Sequence, residues 1–465
     1  MITRRNLLKT STALAGAALV SAQRARGAPA APRRQDAPPS ASGGTYVPVV
    51  TPNGWTLPYE RVRGAKVFHL VAETIDEHEF APGLVAQVWG YNGETPGPTL
   101  ELVEGDHVRI YVTNRLPEPT TVHWHGVAVP NGMDGPAGLN QPSIPAGETF
   151  VYEFTFHRPG TFMYHSHFDE MVQISLGMMG MIVVHPKRPA RRVDRDFAIV
   201  LSEWAIPAGT ARPNPFEMVE FNVFTMNSHV FPGTEPLLVE KNERVRIRLG
   251  NLSAVDHHPI HLHGHSFVIT GTDGGAIPES AWWPETTVLV PVGTTRDIEL
   301  VADNPGDWAL HCHMTHHFMN QMGHGFPNVV GMRAEGLDER VRQYIPGYMT
   351  MGNDGMGGMG EMQERHMPVP PNSIPMRSTR GPFGFIDMGG MLSLVKVRDS
   401  LKGLPEDGGW YDHPPGTVAH KASANELAAD RVDDRRPRRR KRPKPRREEA
   451  RGPAADEHAG HDPAK

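Results

Sequence analysis

The chain has 465 residues and a formal net charge of −5, with 38% apolar and 21% charged residues, the balance of a globular body large enough for two or three domains. Gly (48) and Pro (44) exceed ordinary usage and point to a turn-rich, mostly β architecture, and the lack of any run of about 18 apolar residues excludes a multi-span membrane protein. The single cysteine, Cys312, excludes an intrachain disulfide and a cysteine-only metal cage, whereas 25 His and 22 Met supply a surplus of borderline and soft metal ligands.

Thr3-Arg4-Arg5-Asn6-Leu7-Leu8-Lys9 precedes a short apolar run from Thr12 to Val20 and resembles a bacterial twin-arginine export signal. Residues 1–28 are read as that signal, with cleavage positions near Ala22 and Ala28, which implies a periplasmic or secreted protein that folds before export. Residues 29–45, rich in Pro, Ala and Ser, read as a linker. Val108, Ile110 and Val112 alternate with polar neighbours, as do Val245, Ile247 and Leu249. That period of two predicts antiparallel strands of a sandwich, and no long helical periodicity interrupts residues 46–335.

The two strands belong to an internal repeat. Val108-Arg109-Ile110 and Asn114 recur 137 positions later as Val245-Arg246-Ile247 and Asn251. His123-Trp124-His125-Gly126 recurs 138 later as His261-Leu262-His263-Gly264, and Pro159-Gly160 with His165-Ser166-His167 recurs 146 later as Pro305-Gly306 with His311-Cys312-His313. Matched landmarks in one order predict two homologous β-sandwich domains, at 46–187 and 190–335. Residues 336–414 form a Met- and Gly-rich extension containing Met349, Met351, Met356, Met359, Met362, Met367, Met376, Met388 and Met391. Residues 415–465 are charged and poor in apolar side chains, the composition of a disordered tail. Ten Lys and Arg with no acid lie between Arg435 and Arg447, so the rest of the chain is more acidic than the net charge suggests. The basic run is read as a solvated tail, with no nucleic-acid partner.

Four His-X-His pairs, at 123/125, 165/167, 261/263 and 311/313, occupy matching places in the two domains. Each pair is expected to point its rings to opposite faces of a strand end and so to serve two metals, or a metal on each side of a domain edge. Eight imidazoles suit a cluster of several copper ions better than one tetrahedral zinc. The second domain adds His258, Cys312, His317 and Met322: two imidazoles, a thiolate and a weak axial thioether describe a blue, type 1 copper site. At the corresponding offsets the first domain carries Thr120, Ser166, Met171 and Leu176, so all four of these ligands are missing there together while the His pairs persist. His69, His107, His157, His185, His229 and His257 read as ordinary hydrogen-bonded histidines.

These motifs resemble those of the multicopper oxidases, the laccase-like family built from cupredoxin domains, over residues 46–335. The resemblance implies an all-β fold of two cupredoxin-like Greek-key sandwiches and about four copper ions per chain. It implies a type 1 copper on His258, Cys312, His317 and Met322, and a type 2 copper on His123 and His261. One type 3 copper then falls to His125, His165 and His313, and the other to His167, His263 and His311. Asp134 sits where the family places an acid that delivers protons, whereas Phe318 stands where some relatives carry a second acid.

Most such enzymes have three domains. This chain resembles the two-domain branch, in which three chains form a ring and the cluster lies between neighbours, so a homotrimer is expected. The implied reaction is one-electron oxidation of phenols, aromatic amines or low-valent metal ions, coupled to four-electron reduction of dioxygen. The Met-rich stretch suggests Cu(I) as one donor, since thioethers select that ion. A copper nitrite reductase and a non-catalytic copper buffer are the alternatives; the first would keep its blue site in the first domain, and the second would not need the strict ligand template.

Overall fold

The computed structural model describes residues 46–207, 209–319, 328–330, 336–344, 349–351, 372 and 379–432. The expected signal and linker (1–45), Met322, most of the Met-rich stretch and the chain beyond 432 lie outside the described residues. No helix among the described residues is long and apolar enough to cross a membrane.

The first sandwich is built from β1 (Glu60–Val62), β2 (Ala65–Ala81), β3 (Leu84–Tyr91), β4 (Gly97–Val103), β5 (His107–Asn114), β6 (His123–His125), β7 (Thr149–Thr155), β8 (Gly160–His165) and β9 (Met179–His185). One sheet runs β1-β2-β5-β7 with β3 also on β2, and the facing sheet runs β4-β9-β8-β6. The second sandwich uses β10 (Arg195–Trp204), β11 (Val223–Met226), β12 (Leu237–Glu240), β13 (Arg244–Asn251), β14 (His258–Leu262), β15 (Phe267–Thr272), β16 (Gly275–Ala276), β17 (Pro284–Glu285), β18 (Thr287–Val290), β19 (Thr295–Val301) and β20 (Gly306–Cys312). Its sheets run β11-β10-β13-β19-β15-β16, and β12 to β18 through a late strand, Leu392–Arg398, then β20 and β14.

The alternation in β5 and β13 places Val108, Ile110, Val112, Val245, Ile247 and Leu249 in fully buried positions. Removing such a buried branched side chain costs a few kcal/mol, about 2–5 for an Ile→Ala change. These strands differ from the antiparallel expectation on one side. β5 is antiparallel to β7 but parallel to β2, and β13 is antiparallel to β19 but parallel to β10. The chain crosses between sheets before returning beside its starting strand, which makes that neighbour parallel; side-chain alternation alone does not reveal strand direction.

The repeat extends to strands the sequence did not pair. β9 lies parallel to β4 and antiparallel to β8; Leu392–Arg398 lies parallel to β12 and antiparallel to β20. The closing strand of the second sandwich therefore comes from within the stretch read as an extension. The stretch after Met322 and before Met391 is therefore inserted ahead of a strand of the second sandwich, not appended after it. Gly390 permits the return: its φ is +59°, and a Cβ there would meet the His317 carbonyl oxygen at 2.3 Å.

A third apolar cluster, including Phe80, Leu84, Met163, Met181, Val200, Trp204 and Leu252, joins the two sandwiches. Beside it Arg248 is buried and pairs with Asp196 through both carboxylate oxygens (2.7 and 2.8 Å), while its Nη1 donates to Thr161 Oγ1 at 2.7 Å. Thr161 in turn donates to Asp297 at 2.6 Å. Burial alone pushes the Asp196 carboxyl up, but Arg248 and Arg246 outweigh it and hold the group ionised. The segment from Asp412 is a separate unit. Within it Ala424–Ala429 is a short helix capped by Ser423, with Glu426 returning to the Ser423 N–H.

Candidate metal centres

The first histidine quartet sits at the ends of β6 and β8, which pair His123 opposite His165. Ring centroids of His123 lie 5.6, 5.3 and 5.3 Å from those of His125, His165 and His167. The rings of a His-X-His pair thus converge where splayed rings were expected. Residues two apart on a strand share a face, so each pair contributes to one cluster. The Nδ1 of His123 contacts the Asp134 carbonyl oxygen at 2.6 Å, and the Asp134 carboxylate lies 3.5 Å away. Gly135 makes that approach possible: its φ is +107°, and a Cβ would meet the Val122 carbonyl oxygen at 2.4 Å. His165 Nδ1 is engaged by the Ser166 carbonyl at 2.8 Å, so its Nε2 faces His125 Nδ1 at 3.3 Å. Glu170, unforeseen in the sequence, reaches His167 Nε2 at 2.8 Å.

The second quartet repeats the design on β14 and β20, which pair His261 with His311. His261 and His263 ring centroids are 4.8 Å apart, and His311 lies 5.2 Å from His263 and 5.5 Å from His313. His261 Nδ1 is fixed by the Thr286 carbonyl (2.7 Å) and Thr287 Oγ1 (2.8 Å); His311 Nδ1 is fixed by the Cys312 carbonyl (2.8 Å). His263 and His311 then bring their Nε2 atoms within 3.1 Å. Backbone oxygens that occupy one ring nitrogen leave the other as a lone pair aimed into the cluster, the usual tuning of a metal-binding imidazole.

Cys312, His258 and His317 form the third group. Sγ of Cys312 lies 3.6 Å from His258 Nδ1 and 3.5 Å from His317 Nδ1, and the two nitrogens are 3.3 Å apart. All three residues are buried. Ser253 Oγ contacts His258 Nε2 at 2.7 Å, and the Phe224 ring stacks on His317 at 4.0 Å between centroids. Two imidazoles and one thiol converging in a buried group fit copper by the softness of the donor set. The axial position expected for Met322 lies outside the described residues.

Burial sets the charge state of these groups. It depresses His165 and His258 to about 3 and His311 to about 4, and it lowers His125, His263 and His317. All are therefore neutral donors at pH 7. Burial raises the Cys312 thiol to about 12, so its thiolate forms only when a cation binds.

On the outer side of His317, Asp256 Oδ2 lies 3.4 Å from Nε2. The Asp256 and Val255 N–H groups donate to Glu203 Oε1 at 3.2 and 2.6 Å. Burial and the Asp256 carboxyl raise Glu203 above the ordinary carboxylate range. Neither acid was expected from the sequence; a repeat alignment through Asn251, whose amide nitrogen donates to the Asp256 carbonyl, could have placed Asp256.

Among the described residues, no hydrogen bond or ring contact joins the first quartet to the second; those between two of the eight histidines run within a quartet. Five of the six histidines read as ordinary make ordinary hydrogen bonds. His69 pairs with Thr113, His107 with Glu153, His185 with Glu101, His229 with the Asn227 carbonyl, and His257 with the Val292 N–H.

Two family profiles, both described as multicopper oxidase, match residues 74–189 and 208–331. Copper resistance protein A of Escherichia coli is 26% identical over 322 residues, covering 58% of this chain and 51% of that protein. The chain spans about half or less of the curated relatives it matches. Among solved structures, a multicopper oxidase designated mgLAC is 28% identical with a TM-score of 0.52, covering 73% of this chain and 87% of that one. A blue copper oxidase from Nitrosomonas europaea is 26% identical with a TM-score of 0.53, covering 71% and 85%.

Proposed function

Because this chain belongs to the multicopper oxidase family, we propose that it couples one-electron oxidation of a small donor to four-electron reduction of dioxygen to water. One observation carries the reading: Cys312, in contact with His258 and His317, is bonded in the chain to His311 and His313 of the second quartet. Copper held by these residues supplies reversible one-electron chemistry and dioxygen activation. Cys312 then links a buried entry point to the quartet through one residue on either side. The first-quartet residues His123, His125, His165 and His167 and the second-quartet residues His261, His263, His311 and His313 would hold the type 2 and type 3 ions in the sets given above. Asp134, at 3.5 Å from His123, is the proton donor on that side.

The separation of the quartets supports a cluster completed between chains, hence a homotrimer of 51.2 kDa subunits. Sedimentation of the copper-loaded protein is expected at about 150 kDa, and a fully active monomer refutes this part.

The donor approaches the Asp256 edge of His317. The Asp256 carboxylate there favours a cationic donor such as Cu(I) or another low-valent metal ion, alongside phenols. The Met-rich insertion begins and ends at the same site, since Met391 pairs with both Cys312 and His317 through its backbone. Its thioethers gather Cu(I). Replacing Met356, Met359 and Met362 together by Leu is expected to remove saturable Cu(I) oxidation and spare phenol oxidation; unchanged Cu(I) kinetics refute the role. The twin-arginine motif at residues 3–9 supports export to the periplasm or beyond.

The deciding experiment is an absorption spectrum with oxygen uptake on copper-loaded protein, using phenol, Cu(I) and Mn(II) as donors. A strong blue band that is lost with uptake in Cys312→Ser supports the oxidase. About four copper ions per chain are expected, against about two for a nitrite reductase and variable loading for a buffer.

A further inference from the structure

In the second sandwich, the Cys312 N–H donates to the Met391 carbonyl (3.1 Å) and the Met391 N–H to the His317 carbonyl (2.9 Å). In the first, the Ser166 N–H donates to the Met178 carbonyl (3.1 Å) and the Met178 N–H to the Gln173 carbonyl (3.0 Å). The backbone thus makes Gln173, not Met171 as a constant offset suggests, the counterpart of His317. Met171 is 54% exposed, and the loop from Ser166 runs two residues longer, folding as the short helix Glu170–Ser175.

The side chains follow the same correspondence. Asn114 and Asn251 donate to the carbonyls of Glu118 and Asp256, which makes those two acids equivalent. His317 Nε2 faces Asp256 at 3.4 Å; Gln173 Nε2 donates to Glu118 Oε1 at 2.9 Å. Thr120 bridges to Ile144 as His258 pairs with Val290. Where His258 and Cys312 converge on His317, Thr120 Oγ1 and Ser166 Oγ both donate to one atom, Gln173 Oε1, at 2.7 and 2.5 Å. Thr120, Ser166 and Gln173 are all fully buried.

We propose that Gln173 replaces a ligand and its metal in the first domain, its amide nitrogen standing for His317 and its amide oxygen for the ion. It acts as a positioning residue that holds His165 and His167, on either side of Ser166, ready for the trinuclear cluster. The proposal rests on the oxidase reading above. The carboxamide is saturated: its second N–H reaches the Pro119 carbonyl at 2.8 Å, and its oxygen accepts two hydroxyls, so no capacity remains for another ligand. The two halves of the cluster consequently differ. The His165-Ser166-His167 strand end is set by hydrogen bonds alone, whereas His311-Cys312-His313 shares its cysteine with a metal.

The test is Gln173→Leu in the full-length, copper-loaded protein, read by copper content, the near-ultraviolet band of coupled type 3 copper, the blue band and apo-protein melting. Loss of a residue that orients ligands weakens metal affinity by roughly 10–100-fold. Q173L is therefore expected to lose the type 3 band and its copper while keeping the blue band. Gln173→His, which can donate to Glu118 and accept from Ser166, is expected to restore the band. Should Q173L fail to fold, Thr120→Val removes one donor at matched volume and is expected to weaken type 3 loading in the same direction. A folded Q173L or T120V with full copper content and an undiminished band, even with a lower apo melting point, overturns the proposal. If wild-type protein itself lacks the band, the oxidase reading is what fails.

Discussion

The backbone N–H of Cys312 donates to the carbonyl of Met391 at 3.1 Å, although 79 positions separate the two residues. Both ends of the Met-rich insertion are thereby tied at the His258–Cys312–His317 group, and the sandwich closes without the intervening chain. Replacing residues 323–388 by a short Gly-Ser linker is expected to preserve the blue band and phenol oxidation and to abolish saturable Cu(I) oxidation. Loss of the blue band in a folded, copper-loaded variant would sink this account of the insertion.

Asp256 places its carboxylate 3.4 Å from the outer nitrogen of His317. For Asp256→Asn, the attraction lost towards a cationic donor is about 1 kcal/mol at this partly exposed rim, or roughly a fivefold rise in KM for metal-ion donors. Phenol kinetics are expected to change far less. Equal losses for both donor classes would show that Asp256 acts only through His317.

Acid is expected to strip the metals. His258 and His165 have folded values near 3 and His311 near 4, below the ordinary imidazole value of about 6.5. Groups depressed in this way contribute fully above the unfolded value, and their contribution is lost as pH falls through the folded values. Copper retention and apo stability are therefore expected to be flat from pH 8 to about 6.5 and to decline steadily towards pH 3. Copper loading at neutral pH is expected to release a proton from Cys312, measurable in weak buffer. Retention that improves on acidification would contradict this assignment.

Arg248 is expected to matter for stability rather than catalysis. Arg248→Leu leaves Asp196 buried without its main partner, and broken buried pairs cost about 3–5 kcal/mol. Urea unfolding of the copper-free protein measures this. A loss under 1 kcal/mol would mean that Arg246, 3.4 Å from Asp196, compensates.

The repeated histidine pairs, the lone cysteine and the alternating strands made the sandwiches and the three side-chain groups, two imidazole quartets and His258–Cys312–His317, readable in the chain. The closing strand Leu392–Arg398 escaped because the insertion breaks the offset, and because Lys396, buried and donating to the Asp407 and Gly409 carbonyls, interrupts its apolar pattern. The signal that remained was small: Gly177-Met178 recurs as Gly390-Met391. Gln173, Glu203, Asp256 and Glu170 act through positions two to seven residues from a motif or on another strand. Spacing along one chain cannot reveal such neighbours, since they are brought together only by folding.

The isolation of the two imidazole quartets has a genetic corollary. A polypeptide crippled at His165 and another crippled at His311 each carry one intact half. If the cluster is completed between chains as proposed, co-folding the two in one cell is expected to bring a sound half from one polypeptide against a sound half from the other, and to return activity to a mixture of two dead alleles; no recovery would count against the shared cluster.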